Sequence, residues 1–260
     1  MGLDDVAQLT PHRDINDILV WLARGLEDIL EDQLIGLYLT GSLTYGDFDR
    51  GSSDIDYLAV MTRELEPTPR ENLERLHSEI GERFPEWRKR IEGSYITKDM
   101  LPNVLPPEVG RPYVNQGEFW EPDPPYGNEW LLNLHVLREC GIALIGPEPR
   151  ELFEPVDIAD VREASKRDLV DERVPTLDDP HAYDDPHVRA YVTLTLCRIL
   201  HRAANDEVAS KREASAWVKA TYGQPWRTLV EKAEHWTHGE EMAPAEDVRE
   251  FIRFAQGVLR

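Results

Sequence analysis

Apolar residues recur at helical spacing between positions 14 and 31: Ile15, Ile18, Leu19, Leu22, Leu26, Ile29 and Leu30. That stripe predicts an amphipathic helix, with Asp14 placed to cap it. Residues 34–40 read as a strand running into Gly41-Ser42, and 55–62 as a second strand. Thr68 to Phe84 predicts another amphipathic helix, with Pro69 in its first turn and Leu73, Leu76 and Ile80 on one face. Arg90 to Thr97 reads as a strand. Residues 101–127, rich in proline and aromatics, predict a long ordered loop. Asn128 to Cys140 reads as a helix with Gly141 as its C-cap, and 142–147 as a short strand or apolar connector. The pattern changes between Pro147 and Pro155. Downstream, helices are expected over 157–171, 187–204, 210–221, 225–237 and 244–259, with an Asp- and Pro-rich loop at 175–186. The expected fold is α+β: an α/β domain with a mixed sheet over residues 1–155, then an α-helical bundle over 156–260, with the active site in the cleft between them.

Composition narrows the partners. The 260-residue chain carries 50 acidic and 29 basic residues, a formal net charge of -21. Such an excess repels nucleic acid phosphates and suits a cationic small molecule, or serves solubility alone. Its two cysteines, Cys140 and Cys197, fall in apolar helical patterns and are expected to be reduced, buried and inert. No Cys/His spacing resembles a zinc site. No leader-like segment stands at the N-terminus, and no apolar run approaches the ~20 residues that cross a membrane. A cytoplasmic, monomeric protein without nucleic acid or membrane partners is expected.

The chemistry concentrates after the first two strands. Alternate residues of a strand share a face, so Asp54 and Asp56 project together while Ile55 turns into the core. Paired carboxylates are unfavourable unless a cation lies between them, and their hard oxygens suit Mg²⁺ bound together with substrate phosphates. Gly41 lets backbone approach a phosphate closely, and the Ser42 hydroxyl can donate to it. Ser53 either reaches another phosphate oxygen or caps the turn into the strand. Glu92, in the pattern Arg90-Ile91-Glu92-Gly93-Ser94-Tyr95-Ile96, is a candidate third carboxylate and general base, or else an exposed edge charge.

Gly41-Ser42 followed by Asp54-Ile55-Asp56, with apolar strands leading into each, resembles the signature of the DNA polymerase β-like nucleotidyltransferase superfamily. The likeness extends weakly along most of the chain to aminoglycoside (3'')(9) adenylyltransferases. It is carried further by Glu92, by Gly141 through Val156 with its Leu-Ile-Gly-Pro core, and by Leu194 through Ile199 continuing to Ser210-Lys211 and Trp217. The resemblance implies an N-terminal nucleotidyltransferase domain, two Mg²⁺ ions, ATP as co-substrate and AMP transfer to an aminoglycoside hydroxyl. It implies Glu92 as catalytic base, Asp54, Asp56 and Glu92 on the metal ions, and Arg198 and Lys211 on ATP phosphates. Trp226 matches a position that could stack on adenine, or is simply core. Trp120 and Asp184 fall near acceptor-binding positions, and Glu118 and Asp185 would suit ammonium groups. Asp178-Asp179-Pro180 stands where streptomycin-modifying members carry a tryptophan, which puts a streptomycin contact in doubt. His181 and His187 read as solvated loop residues. Two other readings stay open: another acceptor (a lincosamide, a metabolite or a protein side chain), or a non-catalytic, antitoxin-like binding protein.

Overall fold

A computed structural model describes residues 6, 8–101, 105–205, 207–237 and 239–259. The chain divides into two compact units. The first comprises residues 1–48, 53–126 and 133–155; the second comprises 49–52, 127–132 and 156–260.

The first unit is built on a six-stranded mixed sheet. Its elements are α1 (Arg13–Leu30), β1 (Leu34–Thr40), β2 (Ile55–Met61), α2 (Pro67–Arg83), β3 (Ile91–Thr97), β4 (Tyr113–Asn115) and β5 (Glu118–Phe119). The C-terminal part of α3 (Trp130–Cys140), then β6 (Ile142–Ile145) and α4 (Pro149–Leu152), complete it. The strand order is β5-β4-β3-β2-β1-β6. Only β2 and β3 run parallel, joined by the crossover through α2; the other pairs are antiparallel. A parallel pair needs such a crossover, because a tight turn can join only antiparallel strands.

Strand alternation sorts the side chains. Ile55, Tyr57, Ala59 and Met61 of β2 enter one buried cluster with Ile91 and Tyr95 of β3, the apolar stripe of α1, and Leu73, Leu76 and Ile80 of α2. Asp56, Glu92 and Ser94 therefore occupy the opposite face. Within the core, the Tyr57 hydroxyl lies 2.9 Å from His77 Nε2 and donates to the Tyr95 hydroxyl at 3.0 Å, while the Tyr95 hydroxyl is 3.1 Å from the same nitrogen. Burial pushes the His77 imidazole down to about 4. The unfolded chain thus takes up a proton near pH 6.5 that the folded one refuses until about pH 4. Acidification through that window should cost about 3 kcal/mol of stability. Urea midpoints measured from pH 7 to pH 4.5 check this, and the decline should be shallower in His77→Gln.

Three local readings change on folding. Asp14 is not the cap of α1. The N-cap is His12, and Asp14 sits in the first turn, where Oδ2 accepts from Trp87 Nε1 at 2.7 Å. The 101–127 segment is not all loop; residues 102–104 lie outside the described residues, but 113–119 form the β4–β5 hairpin. Its turn holds Gln116 at φ 53 and Gly117 at φ 78, the two left-handed residues a tight hairpin requires. Gly117 also leaves no room for a side chain, since a Cβ there would sit 2.1 Å from the Arg88 carbonyl oxygen. Strands of three and two residues carry too little period-two signal to be legible. Finally, the helix expected over 157–171 is α5 (Ile158–Arg167), capped by Asp157, and it passes into a π-helical stretch, Asp168–Arg173.

The second unit adds α6 (Pro186–Asn205), α7 (Lys211–Tyr222), α8 (Trp226–Glu234) and α9 (Ala245–Val258). Leu196, Cys197, Ile199 and Leu200 of α6 pack with Val218, Val230, Phe251 and Ile252 in one core. Ser210 caps α7 reciprocally with Glu213. Cys197 is fully buried and burial pushes its thiol up to about 12, whereas Cys140 is only half-buried. Among the described residues, no helix is long and apolar enough to cross a membrane.

Candidate active site

The strand register assembles the carboxylates. Asp56 pairs with Thr40 of β1 on one side and with Glu92 of β3 on the other. Cross-strand neighbours in register share a face, so Asp56 and Glu92 stand side by side. Asp54 lies just before β2, with Arg90 Nε 3.7 Å from its Oδ1. The Arg90 guanidinium also donates to the Ser53 carbonyl and lies 4.5 Å from the Trp87 ring centre. Arg90 thus supplies local positive charge where two like charges would otherwise repel.

Gly41 brings the turn after β1 against this group. It has φ +69, and a Cβ there would fall 2.1 Å from Asp56 Oδ2. Gly41 and Ser42 open a short 3₁₀ turn, closed by Thr44 Oγ1 donating to the Gly41 carbonyl at 2.8 Å and by Asp47 N donating to the Ser42 carbonyl at 3.2 Å. A Gly41→Ala change must displace the Asp56 carboxylate and strain the turn. A displacement of about 1 Å at a reacting group can cost on the order of 100-fold in rate. Gly41→Ala should therefore lose about that much turnover with only a small fall in melting temperature, which parallel kinetic and thermal-melt assays check.

The donor set fits a hard divalent cation: carboxylate oxygens on one sheet face, next to a glycine turn that admits no Cβ. Among the described residues, no three His, Cys, Asp or Glu side chains are gathered closely enough to hold a metal ion together. Arg90 sits against Asp54, the first of the three carboxylates expected there.

The other candidates fall in separate places. Trp120 follows β5, is 50% exposed, and stacks on Tyr113 of β4 with ring centres 6.3 Å apart. Glu118 lines a cavity of about 330 Å³ with Glu74, His77, Ser78 and Arg88, a lining that includes none of Asp54, Asp56 or Glu92. In the second unit, Asp184 pairs with His181 Nδ1 at 2.8 Å, and Asp185 Oδ1 accepts from His187 N at 2.8 Å at the start of α6. His181 is an exposed turn residue, as expected, paired with Asp184, whereas His187 is not a loop residue but stands in the first turn of α6, its ring 5.5 Å from that of Trp236. Arg198 lies on α6, and its buried Nε has no hydrogen-bond partner among the described residues. One turn later Arg202, 3% exposed, donates through Nε to Ser165 Oγ at 2.7 Å. Burial, with Arg198 nearby, pushes the Arg202 guanidinium down to about 9. Lys211 is the first residue of α7, 5.8 Å from the Tyr191 ring. Trp226, partly buried at the edge of the second unit's core, has its ring 5.0 Å from that of Phe251 and 4.9 Å from that of Phe254.

Residues 151–259 match the family described as aminoglycoside adenylyltransferase, C-terminal domain. An aminoglycoside (3'')(9) adenylyltransferase of Klebsiella pneumoniae is 26% identical over 248 residues, covering 90% of each chain. The chain is thus similar to aminoglycoside adenylyltransferases over most of its length. A spectinomycin 9-adenylyltransferase of Campylobacter jejuni is 28% identical over 201 residues, covering 74% of this chain and 73% of that one. Among solved structures, a spectinomycin adenyltransferase of Enterococcus faecialis, determined with ATP and spectinomycin, superposes with a TM-score of 0.72 at 17% identity. That match covers 94% of this chain and 98% of the other, and it bears out the α+β fold. The recognition made from Gly41-Ser42, Asp54-Ile55-Asp56 and the later segments thus holds. Arg90 was the residue not singled out in the sequence. Its adjacency to Glu92 was visible there, but its place on Asp54 follows only from the parallel β2–β3 register.

Proposed function

We propose that this chain is an adenylyltransferase that moves AMP from ATP to a hydroxyl of a small cationic acceptor of the aminoglycoside class. The observation that carries it is the side-by-side register of Asp56 and Glu92 with Gly41 closed against Asp56, in a chain whose relatives bear adenylyltransferase names. The acceptor oxygen attacks the α-phosphorus, the bond to the bridging oxygen breaks, and pyrophosphate leaves. Glu92 takes the proton from the attacking hydroxyl. Asp54, Asp56 and Glu92 would hold Mg²⁺, which when bound neutralises charge on the triphosphate. The Gly41 backbone, Ser42 and Ser53 are assigned to phosphate contacts, and Arg198 and Lys211 to further phosphate charge. Trp120 and Asp184 are assigned to the acceptor. Glu118 is assigned to the acceptor's ammonium groups, and Trp226, partly buried beside Phe251 and Phe254, to the adenine. The domain division at 155/156, a monomer and a cytoplasmic location, where ATP is available, complete the reading.

The test uses ATP labelled at the α- or the γ-phosphate, with Mg²⁺ and spectinomycin or streptomycin. Label from the α position on the drug, with free pyrophosphate, is expected. Label from the γ position on the drug would mean phosphoryl transfer and overturn the assignment.

A further inference from the structure

One buried charge near Trp120 has, among the described residues, no carboxylate in its hydrogen-bonding set. Arg111 is 5% exposed. Its Nη1 donates to the carbonyls of Pro124 and Pro125, both at 2.8 Å, and its Nε donates to Ser94 Oγ at 3.3 Å. The guanidinium lies 3.6 Å from the Tyr126 ring centre and 4.9 Å from that of Tyr113. A buried cation without a carboxylate is costly unless its donors are satisfied, and here carbonyls and aromatic faces satisfy them.

The placement of this fork relates the hairpin to the carboxylates. Ser94 lies two residues beyond Glu92 on β3, on the same face, and pairs in register with Tyr113. Trp120 N donates to the Tyr113 carbonyl at 2.8 Å, and the two rings stack. With about 3.3 Å per residue along a strand and about 4.8 Å between strands, Tyr113 lies roughly 8 Å and Trp120 roughly 12 Å from Glu92 across one sheet face. That is the span of a molecule of two or three rings.

We propose that Arg111 is a positioning residue for the acceptor: its fork ties the returning loop at Pro124–Pro125 to β3 at Ser94, so that Tyr113 and Trp120 form a preset aromatic platform in line with Glu92. The inference rests on the acceptor reading above. A platform fixed before binding saves the ordering cost of a mobile loop. Lysine cannot replace the planar fork, because a point charge cannot reach three acceptors in fixed directions.

The experiment compares wild type, Arg111→Lys and the milder Ser94→Ala. Calorimetry gives the Kd for spectinomycin, for streptomycin and for ATP, and amide hydrogen exchange of the free protein follows residues 113–120. For Arg111→Lys, drug affinity should weaken by about tenfold or more while ATP affinity stays within about twofold. Exchange across 113–120 should quicken with β1 and β2 unchanged, and Ser94→Ala should shift both readouts less. Unchanged drug affinity in both variants would overturn the inference alone, as would an equal loss of ATP and drug binding. A wild-type protein that binds neither drug would overturn the acceptor reading and this inference with it.

Discussion

Asp56→Asn should lower AMP transfer by about 1,000-fold, because the lost charge is worth several kcal/mol against a developing phosphate charge. The change is isosteric, and Asp56 is hemmed between Thr40, Glu92 and the Gly41 turn. Folding should therefore survive, with a melting temperature close to wild type. Removing a carboxylate from a pair also relieves repulsion, so a slight rise in stability is compatible with the account. Steady-state kinetics with pyrophosphate release as the signal, run beside a thermal melt, checks both halves. Turnover within about tenfold of wild type would remove Asp56 from the chemistry.

Glu92→Gln should separate binding from reaction. A general base in place contributes roughly 100- to 10,000-fold, and the amide keeps the shape while losing the proton acceptor. Its kcat should fall in that range while ATP affinity changes little. If ATP affinity collapses along with kcat, Glu92 serves mainly as a ligand for the nucleotide's cation. A product of the same mass formed slowly by Glu92→Gln would still identify the transfer, since positioning alone accelerates such reactions.

Much of this site was legible before folding. Gly41-Ser42 and Asp54-Ile55-Asp56 each follow or begin an apolar strand, and alternation alone places both aspartates on one face. The neighbourhood of Glu92 and Asp56 was suggested by a strand–helix–strand pattern, since that crossover brings a third strand in parallel beside the second. Other features needed the fold. The β4–β5 strands are too short to show a period, so Tyr113 and Trp120 could not be read as stacked partners. Nothing in the proline-rich stretch around Arg111 marks it by sequence, and only its burial against Ser94 and Tyr126 sets it apart. Trp226 illustrates the reverse case. Residue type allowed either adenine stacking or core packing, and only the fold shows the ring set against Phe251 and Phe254 while still partly exposed. The π-helical stretch at Asp168–Arg173 was invisible because its repeat differs little from that of an α-helix over a single turn. There Asp168 is buried against Arg173 at 2.9 Å, and burial pushes its carboxyl up to about 6.

The most direct measurement is the mass of the acceptor after reaction. The protein is incubated with ATP, Mg²⁺ and a panel of aminoglycosides that includes spectinomycin and streptomycin, and each drug is weighed by mass spectrometry. The account expects one AMP added to at least one drug, with the adduct abolished in Asp56→Asn. Unmodified drugs throughout, from a protein that binds ATP with Mg²⁺, would contradict it.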